Sequence, residues 1–173
     1  MMKKISDILF SPAIRAMQAE LGVRDYIARL ESRDHWKAEL STEQMDFIRS
    51  RDSFYFGTAS KEGCPYIQHR GGPAGFIRVE SASALWFPDY SGNRQYISVG
   101  NLSENNQAFI FLMDYANRRR LKLWGRAHIQ DHKTIPFDDT ELSESATVER
   151  IIRFEIDALD ENCSQHIQPR YPE

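Results

Sequence analysis

The apolar residues change their period at Ser53, and that change restricts the fold more than any other feature of the chain. Before it they recur three and four apart: Ile14, Met17 and Leu21, then Tyr26, Ile27 and Leu30, then Met45 and Ile48. Such spacing draws one apolar stripe along a helix. After it they recur every second residue. Leu121, Leu123, Ala127 and Ile129 alternate with Lys122, Trp124, Arg126 and His128, and Ile152, Phe154, Ile156 and Ala158 with Arg153, Glu155 and Asp157. A period of two gives a strand one apolar face. Helices first and strands afterwards predict an α+β fold, mainly β, rather than a doubly wound parallel sheet.

Local signals divide the two halves. Ser11-Pro12 offers an N-cap with proline in the first helical turn, and Gly22 offers an end. Ser41 with Gln44 three residues on matches a capping box. Residues 54–60 are aromatic and β-branched, Lys61-Glu62-Gly63 is a turn, and 65–70 resumes a strand, which makes a hairpin. Gly71 to Gly75 breaks the pattern. Residues 76–79 and 85–88 read as a third and a fourth strand. Residues 89–106 read as a loop with a short helix over 97–102, and 108–113 is an apolar run fit for a buried strand. Six or seven short antiparallel strands with glycine turns predict a barrel. One domain is expected: a helical segment over 1–50, the barrel over 53–160 and a tail over 161–173.

Bulk properties exclude some classes. The 173 residues are 41% hydrophobic and 27% charged, with net charge −3. That is globular composition, and it lacks the basic excess of a nucleic-acid binder. Apolar runs fall far short of the ~20 residues that span a bilayer, and Met1-Met2-Lys3-Lys4-Ile5 leads into no long apolar stretch, so neither a membrane span nor a signal peptide is expected. The two cysteines, Cys64 and Cys163, form no disulfide framework and fit a reducing compartment, taken as the cytoplasm.

No G-x-S-x-G, G-x-x-x-x-G-K-[ST], H-E-x-x-H or C-x-x-C is present. The pairs His128/His132 and Cys163/His166 supply too few ligands for zinc, and no metal site is expected. Arginines carry more information. Arg120, Lys122, Trp124 and Arg126 share one face of a strand, Arg70 ends another, and Arg94 sits in the Gly-Asn loop. Guanidinium groups match a phosphate with a planar fork of donors, and a tryptophan beside them can stack on a ring.

The order of segments resembles the pyridoxamine 5′-phosphate oxidase-like, FMN-binding split-barrel superfamily. The resemblance lies in the hairpin FYFGTASKEGCPYIQHRGG, the strand pair GFIRVESASALWFPDYSGN, the loop and strand RQYISVGNLSENNQAFIFLM and the strand RRRLKLWGRAHI. The ending NCSQHIQPRY is similar to the tail of a flavin-nucleotide-binding branch. The resemblance implies a homodimer with an FMN in each cleft between the two chains. It implies that Gln68, His69, Arg70 and Gly71 contact flavin and phosphate, and that Asn93, Arg94, Ser98 and Asn101 hold the phosphate. It further implies that Arg120 and Lys122 approach the ring from the partner chain. The activity implied is that of an FMN-dependent oxidoreductase acting on a small molecule; a flavin carrier or sensor without turnover is the alternative. A haem-binding split barrel, with His69 or His166 as axial ligand, is another. The chain departs from the oxidase proper. Pro73 stands where that enzyme has a lysine, and the chain ends without its Trp-Gln-Gly and Arg-Leu-His segments. Oxidation of pyridoxamine phosphate is therefore not the expected reaction.

Overall fold

The structure is a computed structural model that describes residues 4–131, 133, 147–161 and 165–171. Four helices come first: α1 (Ile5–Leu9), α2 (Pro12–Glu20), α3 (Arg24–Ser32) and α4 (Thr42–Arg49). Four strands follow: β1 (Ser53–Ala59), β2 (Pro65–Gly71), β3 (Arg78–Ser81) and β4 (Ala84–Tyr90). After α5 (Ile97–Glu104) come β5 (Gln107–Asp114), β6 (Arg119–Gln130) and β7 (Val148–Glu161). The strands join antiparallel in the order β2-β1-β5-β6-β7-β4-β3, so among the described residues the sheet ends at β2 and β3 and does not close. This is the mainly β, split-barrel class expected from the alternation.

Parity along the strands decides what is inside. Phe54 and Phe56 of β1, Ile110 and Leu112 of β5, Leu121 and Leu123 of β6 and Phe154 of β7 are at most 1% exposed. Phe54 packs edge-on to Phe87 at 4.8 Å between centroids and stacks with Phe76 at 5.8 Å, while Phe56 meets Phe87 edge-on at 5.3 Å. Offset and edge-to-face rings of this kind bring stabilisation beyond their buried area. The opposite parity turns outward: Tyr55, Phe109, Phe111, Met113, Arg120, Lys122 and Trp124 form one continuous face through the pairs Tyr55↔Phe111, Phe109↔Trp124, Phe111↔Lys122 and Met113↔Arg120.

The register between β6 and β7 shifts at Gly125. A Cβ there would stand 2.0 Å from the Glu155 carbonyl oxygen and 2.7 Å from the Phe154 ring. Only glycine lets the strands approach this closely at a bulge.

Two strand expectations need correction. The third strand begins at Arg78, not at 76. Gly75 takes φ +87° and the Phe76 N–H donates to Pro73 O, so a turn occupies that stretch and delivers Phe76 and Ile77 to the core without ladder pairing. The fourth strand runs on through Pro88 to Tyr90. Pro88 is tolerated because β3 pairs only with residues up to Trp86, which leaves that side of β4 without a ladder partner among the described residues.

The helices behave unequally. Ser41 forms the full capping box, accepting from Gln44 N while Gln44 Oε1 accepts from Ser41 N, and α4 buries Phe47 and Ile48. Ser11 caps α2, and Gly22 ends it at φ +73°. A stripe such as Ile14, Met17 and Leu21 ordinarily faces a core. Here these residues are 44%, 51% and 69% exposed, and α1, α2 and α3 bury no residue. No described helix is long and apolar enough to cross a membrane.

Candidate functional site

Where β2 and β4 lie near the start of α5, the loop 91–96 walls off a cavity of about 200 Å³. Its floor comes from β2. Tyr66, Gln68 and Arg70 share the inward parity of that strand and all line the cavity. Its far wall is Asp89, Tyr90 and Glu149, and its rim is Gly92 to Val99. Arg94 and Tyr96 adopt φ +61° and +52°, left-handed backbone that is uncommon outside glycine. Tyr96 is the N-cap of α5, so the first turn of that helix, Ile97 to Val99, lines the cavity. Asn93 shapes the loop by accepting the Gln95 N–H at 3.1 Å.

Polar contacts fix the floor. Ser98, 2% exposed, donates its hydroxyl to Gln68 Oε1 at 2.9 Å and ties α5 to β2. Asn101 donates to Thr58 Oγ1 at 3.0 Å and ties the same helix to β1. Arg70 is buried. It donates to Asp89 Oδ1 and lies 5.9 Å from the Phe56 ring centroid, while its Nε is buried without a partner among the described residues. Asp89 also accepts from Arg150 Nη1 at 2.8 Å, and Arg150 Nη2 donates to Glu149 Oε2 at 2.6 Å. The charges thus alternate Arg70, Asp89, Arg150, Glu149. Arg94 is exposed and has no carboxylate partner among the described residues, which makes it the one unmatched cation of the lining. Burial raises the Tyr90 phenol above its ordinary pKa against the opposing charge of Arg78, so it stays a neutral hydroxyl at neutral pH.

The expected residues therefore separate into groups. Gln68, Arg70, Asn93, Arg94 and Ser98 meet at the cavity. Asn101 stands behind it, holding α5 in place. His69 and Gly71 have the other parity. His69 packs edge-on to Tyr55 at 5.6 Å and lines a separate cavity of about 360 Å³ with Tyr115 and Arg170. Arg120 and Lys122 lie on the outward face, where Lys122 pairs with Asp160 at 2.9 Å and sits 5.7 Å from the Trp124 ring centroid. Asp89, Tyr96, Glu149 and Arg150 were not anticipated. All four lie outside β2 and join the site only through the turn of the loop and the β4–β7 pairing, which a single sequence does not display.

A larger cleft, about 1090 Å³, lies elsewhere, between α1, the end of α3 and residues 34–41, and none of the expected residues lines it. His166 is exposed and lines none of these cavities. His132 and Cys163 of the two histidine and cysteine pairs fall outside the described residues. Among the described residues no three His, Cys, Asp or Glu side chains gather as a metal site.

The described strands form an open antiparallel split barrel with a small polar cavity beside its second strand. The pyridoxamine 5′-phosphate oxidase family model matches residues 40–154, well over half of the chain, and the protein belongs to that family. No curated protein matches. Solved structures show the same fold at low identity. A candidate pyridoxamine 5′-phosphate oxidase from Lactobacillus delbrueckii is 14% identical, with TM-score 0.52 over 72% of this chain and 95% of that one. A protein from Clostridium acetobutylicum related to general stress protein 26 is 18% identical, with TM-score 0.52 over 73% and 88%. HupZ of Group A Streptococcus is 13% identical, with TM-score 0.52 over 76% and 100%.

Proposed function

We propose that the chain binds FMN, with its phosphate in the cavity beneath loop 91–96, and works as a small flavin-dependent oxidoreductase. The observation that carries this is the convergence of Arg94, Asn93 and Ser98 with the first turn of α5 on one small polar cavity. A helix N-terminus and a guanidinium without a carboxylate together suit a dianion. The residues fit the phosphate end of the cofactor. At about 200 Å³ the cavity is below the ~300–1,000 Å³ of whole-ligand sites. The remainder of the cofactor would then extend beyond it.

Bound flavin supplies the redox chemistry, exchanging electrons with a small substrate. The chain's own share is to anchor and orient. Arg94 and α5 would hold the phosphate, Gln68, whose amide Ser98 fixes, would contact the cofactor next to it, and Tyr90 would contribute a neutral hydroxyl. The ring needs a cover, and the outward face of Tyr55, Phe109, Phe111 and Trp124 suits a second copy of the chain. In such a homodimer Arg120 and Lys122 of each chain border its mate's cleft.

The test compares FMN with riboflavin, which lacks only the phosphate. Arg94→Ala is expected to weaken FMN by about 10- to 100-fold, the worth of a charged hydrogen bond, and to leave riboflavin unchanged. Equal affinities of the variant and the parent for FMN would overturn the site. A carrier without turnover uses the same cavity; reduction of bound flavin by a nicotinamide nucleotide, followed by reoxidation over many cycles, favours the enzyme.

A further inference from the structure

We infer that Arg150 is a positioning residue of this site, which sets the pocket's preference for a phosphate although it does not itself line the cavity. The inference rests on the reading of the cavity as a phosphate site.

Arg150 lies on β7, across the sheet from β2, and makes three contacts at once. Its Nη1 donates to Asp89 Oδ2 at 2.8 Å, its Nη2 donates to Glu149 Oε2 at 2.6 Å, and its guanidinium covers the Tyr96 ring at 5.2 Å. Each contact controls a different part of the wall. Asp89 is 6% exposed and its other oxygen holds Arg70, so Arg150 shares the carboxylate that orients the buried floor. Tyr96 is the left-handed N-cap of α5, two residues from Arg94, so the cation over its ring fixes the hinge from which the phosphate-facing turn departs. Ser91 N also donates to Thr147 O at 2.8 Å, so the loop is tied at its start as well as near its end.

Charge makes the same point. Arg70, Arg94 and Arg150 carry three positive charges against two negative ones on Asp89 and Glu149, leaving these five groups one unit positive. Removing Arg150 makes this sum zero and leaves Glu149 on the cavity wall without its hydrogen-bond donor. A dianion would feel both changes, and riboflavin would feel neither charge term. A fork that grips two carboxylates and stacks on a ring is specific to arginine, so lysine at this position is an incomplete replacement.

The experiment measures dissociation constants for FMN and for riboflavin with the full chain and four variants. Arg150→Met is expected to lower the ratio of FMN to riboflavin affinity by on the order of tenfold, and Arg150→Lys to recover part of it. Tyr96→Asn removes the ring while suiting left-handed backbone, so it should fold even if Arg150→Met does not; it is expected to lower the ratio too, by less. Arg94→Ala reports on the phosphate site itself. If Arg94→Ala lowers the ratio while Arg150→Met and Tyr96→Asn keep the parent's, Arg150 is merely structural and the inference falls alone. If Arg94→Ala also leaves the ratio unchanged, the phosphate reading falls with it. A loss of thermal stability in Arg150→Met without a change in the ratio counts against the inference.

Discussion

Replacing Gly125 by alanine should be among the most damaging single-methyl changes in this protein. The added carbon would lie 2.0 Å from the Glu155 carbonyl oxygen and 2.7 and 2.8 Å from two atoms of the Phe154 ring. The carbonyl is backbone and cannot rotate aside. To restore even a tight 3.0 Å contact, β7 must retreat from β6 by at least 3.0 − 2.0 = 1.0 Å. Phe154 is fully buried, so its ring cannot swing out to solvent without disturbing the core. Overpacking in a tight core costs about 1–3 kcal/mol, and disturbing one ladder hydrogen bond adds about 1 kcal/mol. We therefore expect a loss of about 3 kcal/mol or more, against a total stability of about 5–15 kcal/mol. For a chain of this size that lowers Tm by about 6–12 °C. Urea unfolding followed by circular dichroism measures the loss directly. Gly100→Ala is the matched control. Gly100 lies inside α5 with open space around it, and alanine there should gain about 0.5–1 kcal/mol. A loss below about 1 kcal/mol for Gly125→Ala at an unchanged m-value would refute the close approach of β6 and β7.

Two further perturbations test other parts of the account. Burial alone would raise the Asp114 carboxyl, but hydrogen bonds from the Asn117 side chain and backbone, with Arg51 and Arg119 nearby, hold it below its ordinary pKa. A depressed folded-state pKa gives stability that is present above the unfolded value and is lost as pH falls through the folded one. Asp114→Asn should therefore be less stable than the parent at pH 7, and the gap should close on acidification; a gap that widens in acid contradicts the assignment. Phe109→Glu places a charge in the outward face beside Trp124, whose ring centroid is 4.9 Å away. For the proposed homodimer, light scattering should then fall from twice the chain's 20.1 kDa to the single-chain mass; a dimer unaltered by the change would place the interface on another surface, and a parent that already scatters as a single chain would refute the dimer.

The sequence carried much of this fold because its two periods are physically distinct. Alternation along 121–129 and 152–158 reports a half-buried strand wherever it occurs, and both segments lie inside β6 and β7. The capping box at Ser41 needs only neighbours within one turn, and it forms as read. Phe76 was misread because a buried aromatic at the end of a glycine-proline turn has the same composition as a strand residue. The stripe of α2 was legible as a helix, but its exposure depends on what packs against it. The site was half legible. Parity on β2 alone separates Gln68 and Arg70 from His69 and Gly71, and that rule was available without coordinates. The ladder of Arg70, Asp89, Arg150 and Glu149 was not, because it joins residues up to 80 positions apart through the β4–β7 pairing.

The most direct test of the central claim is a titration of the purified protein with FMN, followed by visible absorption and flavin fluorescence. The account predicts saturable binding at one FMN per chain, with the bound spectrum shifted from that of free flavin and weaker binding of riboflavin. Absence of binding at any accessible FMN concentration, or equal binding of FMN and riboflavin, would contradict it.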